Sequence, residues 1–258
     1  SDTAQPGFTL HPAFRDGGAD INCFYIGKYQ AVDDPNATGS KAASLPGRAP
    51  LVSIDFPTMQ ARCAARNGGG VDGFMLWSMY QRAAIQMLAM IEMGGADSQA
   101  LIGQGRVNQS SAANVDATDV AEATYRGIVG LWGNVRQMVD GLELDGSHGV
   151  RVWDRDGNQT WIATGVTTTS ADGWQVALHE EAGADYDLRD ILLPRATDST
   201  EGNGTFGDYI WASDSGETNV AYHGGIWSSG AHAGLFSLIC SSTASSTGAA
   251  IGARLAKV

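Results

Sequence analysis

The sequence predicts a mixed α+β protein, and three observations predict it. Apolar residues recur at helical spacing in two segments before residue 95, short aromatic and β-branched runs replace them after residue 150, and 34 glycines interrupt the 258 residues. Phe24–Tyr29 (FYIGKY) lies between turn residues and reads as a strand. Residues 33–50, rich in Asp, Pro, Gly and Ser, read as a loop. Phe56-Pro57 opens a helix, because proline suits a first helical turn. Met59, Cys63 and Ala64 carry its apolar side until Asn67-Gly68-Gly69-Gly70 stops it. A second helix runs from about Ser78 to Met93, and Gly94-Gly95 ends it. Its Ala84, Ile85, Leu88, Ala89, Ile91 and Met93 cover much of the circumference, which predicts burial on most sides. Residues 96–122 read as a long loop with one short helical turn. Val150–Trp153 and Trp161–Val166 read as strands around the turn Asp154-Arg155-Asp156-Gly157-Asn158. Residues 198–219, with Gly202, Gly204, Gly207 and Gly216, read as a polar loop. No repeat is visible, and the length predicts a single domain over 1–258.

Composition narrows the function. A hydrophobic fraction of 43% excludes intrinsic disorder. Asp and Glu number 28 against 16 Lys and Arg, so the net charge of −12 argues against nucleic acid or an anionic membrane as partner. No apolar run approaches the roughly 20 residues needed to span a bilayer, so membrane insertion is not expected. Ser1–Pro6 carries neither the basic nor the apolar region of a leader. Cys23, Cys63 and Cys240 form no CxxC pair and no spacing selects a disulfide, so three buried thiols are expected.

Several clusters invite a chemical reading. The Asp154, Asp156 and Asn158 oxygens fall at i, i+2 and i+4, as at the start of a calcium loop, but a hairpin turn carries the same sequence; no other cofactor is indicated. The five histidines have no His or Cys at metal-ligand spacing. His179-Glu180-Glu181 reads as a solvated strand or loop end, and His223 as a structural histidine with a ligand-facing role as the alternative. Glu180, Glu181, Asp185, Asp187 and Asp190 read as a solvated acidic face. Ile102-Gly103-Gln104-Gly105 lacks the strand and helix that a phosphate-binding loop requires. From Ser228 to Ala256 there is no Lys, Glu, Gln, Met, Trp, Asp or Asn. Side chains this short cannot build a core alone, so the segment must lie over a scaffold, or form a Ser/Ala-rich terminal hairpin.

Three segments carry a resemblance. Asn22–Ala31 (NCFYIGKYQA), Tyr125–Leu142 (YRGIVGLWGNVRQMVDGL) and Gly224–Leu255 resemble, in that order, the C-type-lectin-like fold of the formylglycine-generating-enzyme type. Arg136, Gln137 and Met138 stand where that family has Trp, Glu and Trp, and Ala253 where it has Phe. The oxidases of the family bind copper through a cysteine pair; Ser229 and Gly234 occupy the aligned positions, so the resemblance implies no such activity and no enzyme. The last segment is more similar still to the variable region of proteins diversified by retroelements. Gly224, Gly225, Trp227, Gly230, Ala233, Gly234, Leu235, Phe236, Gly252 and Arg254 match its frame without a gap, with Trp132, Gly133 and Asn134 as further scaffold.

At the positions where that family varies, this chain has Ile226, Ser228, Ser229, His232, Ile239, Ser241, Ser242, Ser246, Gly248 and Ala250; Ser237, at an aromatic or small position, is a further candidate. The resemblance implies unfaithful copying of template adenines, so that an AAC codon becomes another codon ending in C, which excludes Lys, Glu, Gln, Met and Trp. It further implies a ligand-binding region at about 224–254 on a rigid scaffold, with a host-surface protein or glycan as partner. The corresponding location is a virion surface or tail, with a microbial cell surface as the alternative. A virion decoration protein on the same fold is the alternative function.

Overall fold

The computed structural model describes residues 8–202, 206–212 and 216–258; Ser1–Pro6 and Gly204 lie outside them. In chain order, β1 (Arg15–Asp16) and β2 (Ala19–Asp20) form a small hairpin and β3 (Tyr25–Ile26) follows, so FYIGKY is strand only at its centre. The expected loop 33–50 carries a two-residue ladder between β4 (Val32–Asp33) and β5 (Ala42–Ala43). Next come α1 (Phe56–Ala64), β6 (Phe74–Leu76) and α2 (Met79–Met93). Two short helices, α3 (Ser98–Leu101) and α4 (Thr118–Ala121), appear where one turn was expected. The remainder is strand: β7 (Arg136–Leu144), β8 (Gly149–Trp153), β9 (Trp161–Thr167), β10 (Gly173–Leu178), β11 (Pro194–Asp198), β12 (Tyr209–Trp211), β13 (Asn219–His223), β14 (Leu238–Thr243), β15 (Ile251–Ala253) and β16 (Leu255–Lys257).

Local chemistry sets the two longer helices. Asp55 accepts from the Thr58 amide at 2.9 Å and Pro57 occupies the first turn of α1. Phe56, Met59 and Cys63 are buried, whereas Ala64 is exposed. Helix α2 opens on a reciprocal capping box between Ser78 and Gln81 and closes on Gly94 at φ 70°. Its residues 79–86 are all buried, but Leu88 and Ile91 are 50% and 77% exposed, so the expectation of burial on most sides is corrected for its last two turns. Arg82 and Gln86 donate to the Phe236 and Leu235 carbonyls and hold the first half inside the protein. The last turn meets Tyr125 and Arg126 through Glu92, nearer the surface.

One sheet, in the order β11-β10-β12-β14-β13-β7-β8-β9, organises the molecule, with β15 running parallel to β7. Beneath it Trp77 and Trp132 are fully buried, and the Trp77 indole donates to the Met138 carbonyl at 2.8 Å. The C-terminal segment does not form a terminal hairpin. β14 inserts between β12 and β13, β15 lies along β7, and β16 joins β3 and β6 in a second sheet. Its short side chains are therefore held by ladders to strands supplied elsewhere in the chain.

The three segments that carry the resemblance meet at one buried side chain. Arg254 donates to Gln137 Oε1 (2.8 Å), to the Gly27 and Lys28 carbonyls (2.8 and 3.2 Å) and to the Val129 and Gly130 carbonyls (2.8 and 2.7 Å). All five acceptors are neutral. Burial therefore lowers its pKa to about 9.

Candidate ligand-binding face

The loop from Gly224 to Gly234 is positioned by backbone groups of other segments. Gly133 N donates to the Gly224 carbonyl (3.0 Å), Trp227 N to the Asn134 carbonyl (3.1 Å), Gln109 N to the Trp227 carbonyl (2.6 Å) and Gly230 N to the Val107 carbonyl (2.9 Å). The Gln99 amide adds bonds to the Gly230 and Ala233 carbonyls at 3.0 and 2.7 Å. One candidate variable side chain takes part: Ser229 Oγ accepts from Ile226 N at 2.9 Å. Two glycines are sterically required. Gly225 has φ 74°, and a Cβ there would lie 2.8 Å from the Ala233 Cβ. A Cβ on Gly234 would lie 2.0 Å from Asp208 Oδ1. Asp208 itself accepts from Phe236 N at 2.6 Å, and its burial raises its pKa well above the usual carboxylate value.

Below this loop opens a concavity of about 340 Å³. Ile226, Ser228, Ser229 and His232 form its loop side, and Ile239 and Ser241 of β14 contribute from the sheet. Arg136, the first residue of β7, and Trp211, the last of β12, complete it. The Arg136 guanidinium lies 4.6 Å over the Tyr222 ring, and its Nη2 makes a 3.5 Å contact with Ser242 Oγ. Burial lowers the Arg136 pKa, partly opposed by Tyr222. His232 stacks on Tyr209 at 4.2 Å between ring centroids, with Trp174 and Trp211 edge-on at 5.2 and 5.7 Å. These groups offer hydroxyls, one cation and an aromatic face, which is the chemistry of binding.

The structure places the expected residues unequally. Ser228 is exposed, and Ile226, Ser229, His232, Ser241, Ser242, Ser246, Gly248 and Ala250 are half-buried. Ser242, Ser246, Gly248 and Ala250 are not among the residues lining the concavity. Gly248 and Ala250 accept from Ser53 N and Arg136 N through their carbonyls. Two expectations of solvent-facing side chains are corrected. Ser237 is fully buried beneath the loop, and Ile239 is only 4% exposed, forming floor rather than rim. Both lie where the loop and β14 pack on α2 and β12. Of the scaffold residues, Trp132, Gly133, Asn134, Gly224, Gly225, Gly252 and Arg254 are buried, and Trp227 is half-buried. The Trp132 indole donates to the Gln104 carbonyl at 3.0 Å.

Arg136, Trp174, Tyr209 and Trp211 escaped the sequence reading as site residues. Residues 209–211 fell within the expected polar loop, although Tyr-Ile-Trp between Asp208 and Ala212 is a short aromatic, β-branched run. Arg136 stood out as a departure from the family pattern, which was its signal.

The other candidate clusters are structural. Asp154 accepts from the Asp156, Asn158 and Thr160 amides and the Asn158 side chain, and Asp156 pairs with Arg15 at 2.7 Å. Asp154, Asp156 and Asn158 form the hairpin turn, with both Asp154 carboxylate oxygens and Asp156 Oδ1 accepting hydrogen bonds. Among the described residues, no three or more His, Cys, Asp or Glu are grouped to hold a metal. His223 is fully buried, accepting from Arg82 Nε at 3.0 Å and contacting the Leu131 carbonyl at 2.8 Å. Burial first, then Arg82, pushes its pKa well below the usual value. His179 is 2% exposed and meets Glu181 at 2.8 Å, so it is not a solvated end. The acidic run is partly neutralised: Asp190 pairs with Arg155 at 2.7 Å and Asp187 with Arg189 at 2.6 Å. Cys23 is exposed, against expectation, while burial pushes the Cys63 and Cys240 thiols up to about 12.

No protein-family model matches the sequence, and no curated protein matches it. Solved structures with overall similarity include one described as "Major Tropism Determinant U1 Variant", 13% identical with a TM-score of 0.41. The similarity covers 95% of this chain and 55% of that one, so the chain spans about half the length of this neighbour. No helix among the described residues is long and apolar enough to cross a membrane.

Proposed function

We propose that this chain is a ligand-binding protein whose C-terminal region, about 224–254, displays side chains diversified by a retroelement. In this reading it is a single domain with a C-type-lectin-like fold of the formylglycine-generating-enzyme type. It serves host attachment from a virion surface or tail by binding a host-surface protein or glycan. No bond is made or broken. The observation that carries the reading is the way the 224–234 loop is held, by main-chain hydrogen bonds from 107–109 and 133–134. A surface that accepts many side chains needs a backbone fixed by something else, because randomised residues in a core leave cavities or overpack.

The test has two arms. The coding DNA is expected to carry, near a reverse transcriptase gene, a near-copy of the 3′ end differing at adenines; a locus without it would overturn diversification. A library randomised at Ser228, Ser229, His232 and Ser241 is expected to remain folded in most members, as read by protease resistance. Widespread unfolding would remove the display reading.

A further inference from the structure

The concavity has a charge character unlike the rest of the protein. The chain carries 28 Asp and Glu against 16 Lys and Arg, yet none of the described residues lining this site is acidic. Arg136, at its floor, has no carboxylate within ion-pair distance among the described residues. Among the described residues its guanidinium makes one hydrogen bond, the long contact to Ser242, and its Nε is buried without a partner. By contrast Arg62, Arg66, Arg106, Arg151 and Arg155 each hold an Asp or Glu. A guanidinium presents a planar fork of donors that matches a carboxylate in two parallel bonds.

We propose that this concavity binds one residue of an acidic glycan, with the sugar carboxylate on Arg136 and the ring against Trp211. The inference rests on the display reading above and names its ligand class. About 340 Å³ lies at the small end of ligand pockets and suits one monosaccharide. Ser228 and Ser241 both donate and accept, as sugar hydroxyls do. The Trp211 indole supplies the apolar face that a sugar ring covers with its C–H groups. A peptide carboxylate would engage Arg136 but leave the serines and the indole to water. Arg136 lies on β7, outside the 226–250 region, so the anion anchor stays constant while the rim varies.

The probes are methyl β-glucuronide and the methyl glycoside of N-acetylneuraminic acid, against neutral methyl β-glucoside, N-acetylglutamate and inorganic sulfate, followed by NMR titration. At least one acidic glycoside is expected to bind, at least about tenfold tighter than the neutral one. Arg136→Gln should remove that preference, Arg136→Lys retain part of it, and Trp211→Ala weaken acidic and neutral sugars together. Arg136 also packs on Tyr222, so Ser241→Asp provides a variant at the half-buried edge of the site. It should abolish acidic-sugar binding by like-charge repulsion at an unchanged melting temperature. Equal binding of the neutral sugar, no binding of either acidic glycoside, or indifference to a folded Arg136→Gln would overturn the inference. So would N-acetylglutamate binding as well as the glycosides, which marks an acidic-peptide site, or sulfate doing so, which marks a bare anion site. A locus with the template copy but no glycoside binding sinks the ligand class alone. Glycoside binding without a template copy sinks diversification alone.

Discussion

The loop over 225–232 and the turn over 154–158 are both short connections outside the strands, yet their shapes are written in different places. The Asp154 carboxylate accepts three main-chain amides and one side-chain amide between 2.7 and 3.2 Å, so one side chain dictates the turn. The 225–232 loop takes its shape from Val107, Gln109, Gly133 and Asn134, whose backbone groups are the same whatever side chains the loop carries. A loop of the first kind cannot change its sequence without changing form. A loop of the second kind can, provided the segments beneath it stay in place.

The contrast predicts its largest effect in those underlying segments. Arg254→Met keeps roughly the volume but strips donors from Gln137 and four carbonyls at once, those of Val129 and Gly130 in buried bonds and those of Gly27 and Lys28 in half-buried ones. An orphaned buried acceptor costs roughly 1–3 kcal/mol, so a loss of about 4 kcal/mol, or failure to fold, is expected in urea unfolding. A loss below about 1 kcal/mol would show that the frame does not depend on this junction.

Asp154→Ala ranks next, at about 2 kcal/mol at neutral pH. Its pH dependence sharpens the point. Burial works against the Asp154 charge, but the amides of Thr160, Asn158 and Asp156 outweigh it and hold its pKa below the ordinary 3.8. An acid whose folded pKa is depressed contributes stability that is present above its unfolded pKa and lost as pH falls through the folded one. The deficit of the variant should therefore be full at pH 7 and shrink below about pH 4. A deficit that is flat down to pH 2.5 would mean the turn is not organised by the charged carboxylate.

The same distinction explains what could be read from sequence. Helix α1 was legible because Asp55 and Pro57 act on their own neighbours, and α2 because Ser78, Gln81 and Gly94 do. The β8–β9 hairpin was legible because its turn chemistry is local. β7 was not, since Gln137, Asp140 and Gly141 break its apolar run and its partners β13 and β15 lie far along the chain. β14–β16 were hidden by Ser, Ala and Gly, which carry no periodic signal, while every strand they pair with is non-local or separated by a loop. At the site, the loop residues were visible as a pattern, but Trp211 and Arg136 joined them only through the parallel β12–β14 and β7–β15 pairings.

Within the 224–234 loop itself the comparison predicts one weak point. Ser229 Oγ caps the Ile226 amide and so does on a small scale what Asp154 does for its turn. Ser229→Ala should cost about 1 kcal/mol, and Ser229→Thr or Ser229→Asn, which keep an acceptor, less. Equal losses for all three in thermal unfolding would indicate packing rather than the hydrogen bond.

The smallest effect is expected at Ser228 and Ser246. Ser228 is exposed, and the neighbouring Trp227 and Gly230 bond to other segments through backbone groups. Ser246 adds a 3.3 Å hydroxyl contact to Thr243, with a Ser246 N–Thr243 carbonyl bond beside it that survives substitution. Exposed positions without a cap, a core contact or special backbone stay within about 0.5 kcal/mol on substitution. Ser228→Tyr and Ser246→Arg, large and charged by choice, should therefore leave the unfolding free energy unchanged to that margin. A cost above about 1.5 kcal/mol for Ser228→Tyr would mean that the loop is shaped by its own side chains after all, and would put it in the same class as the Asp154 turn.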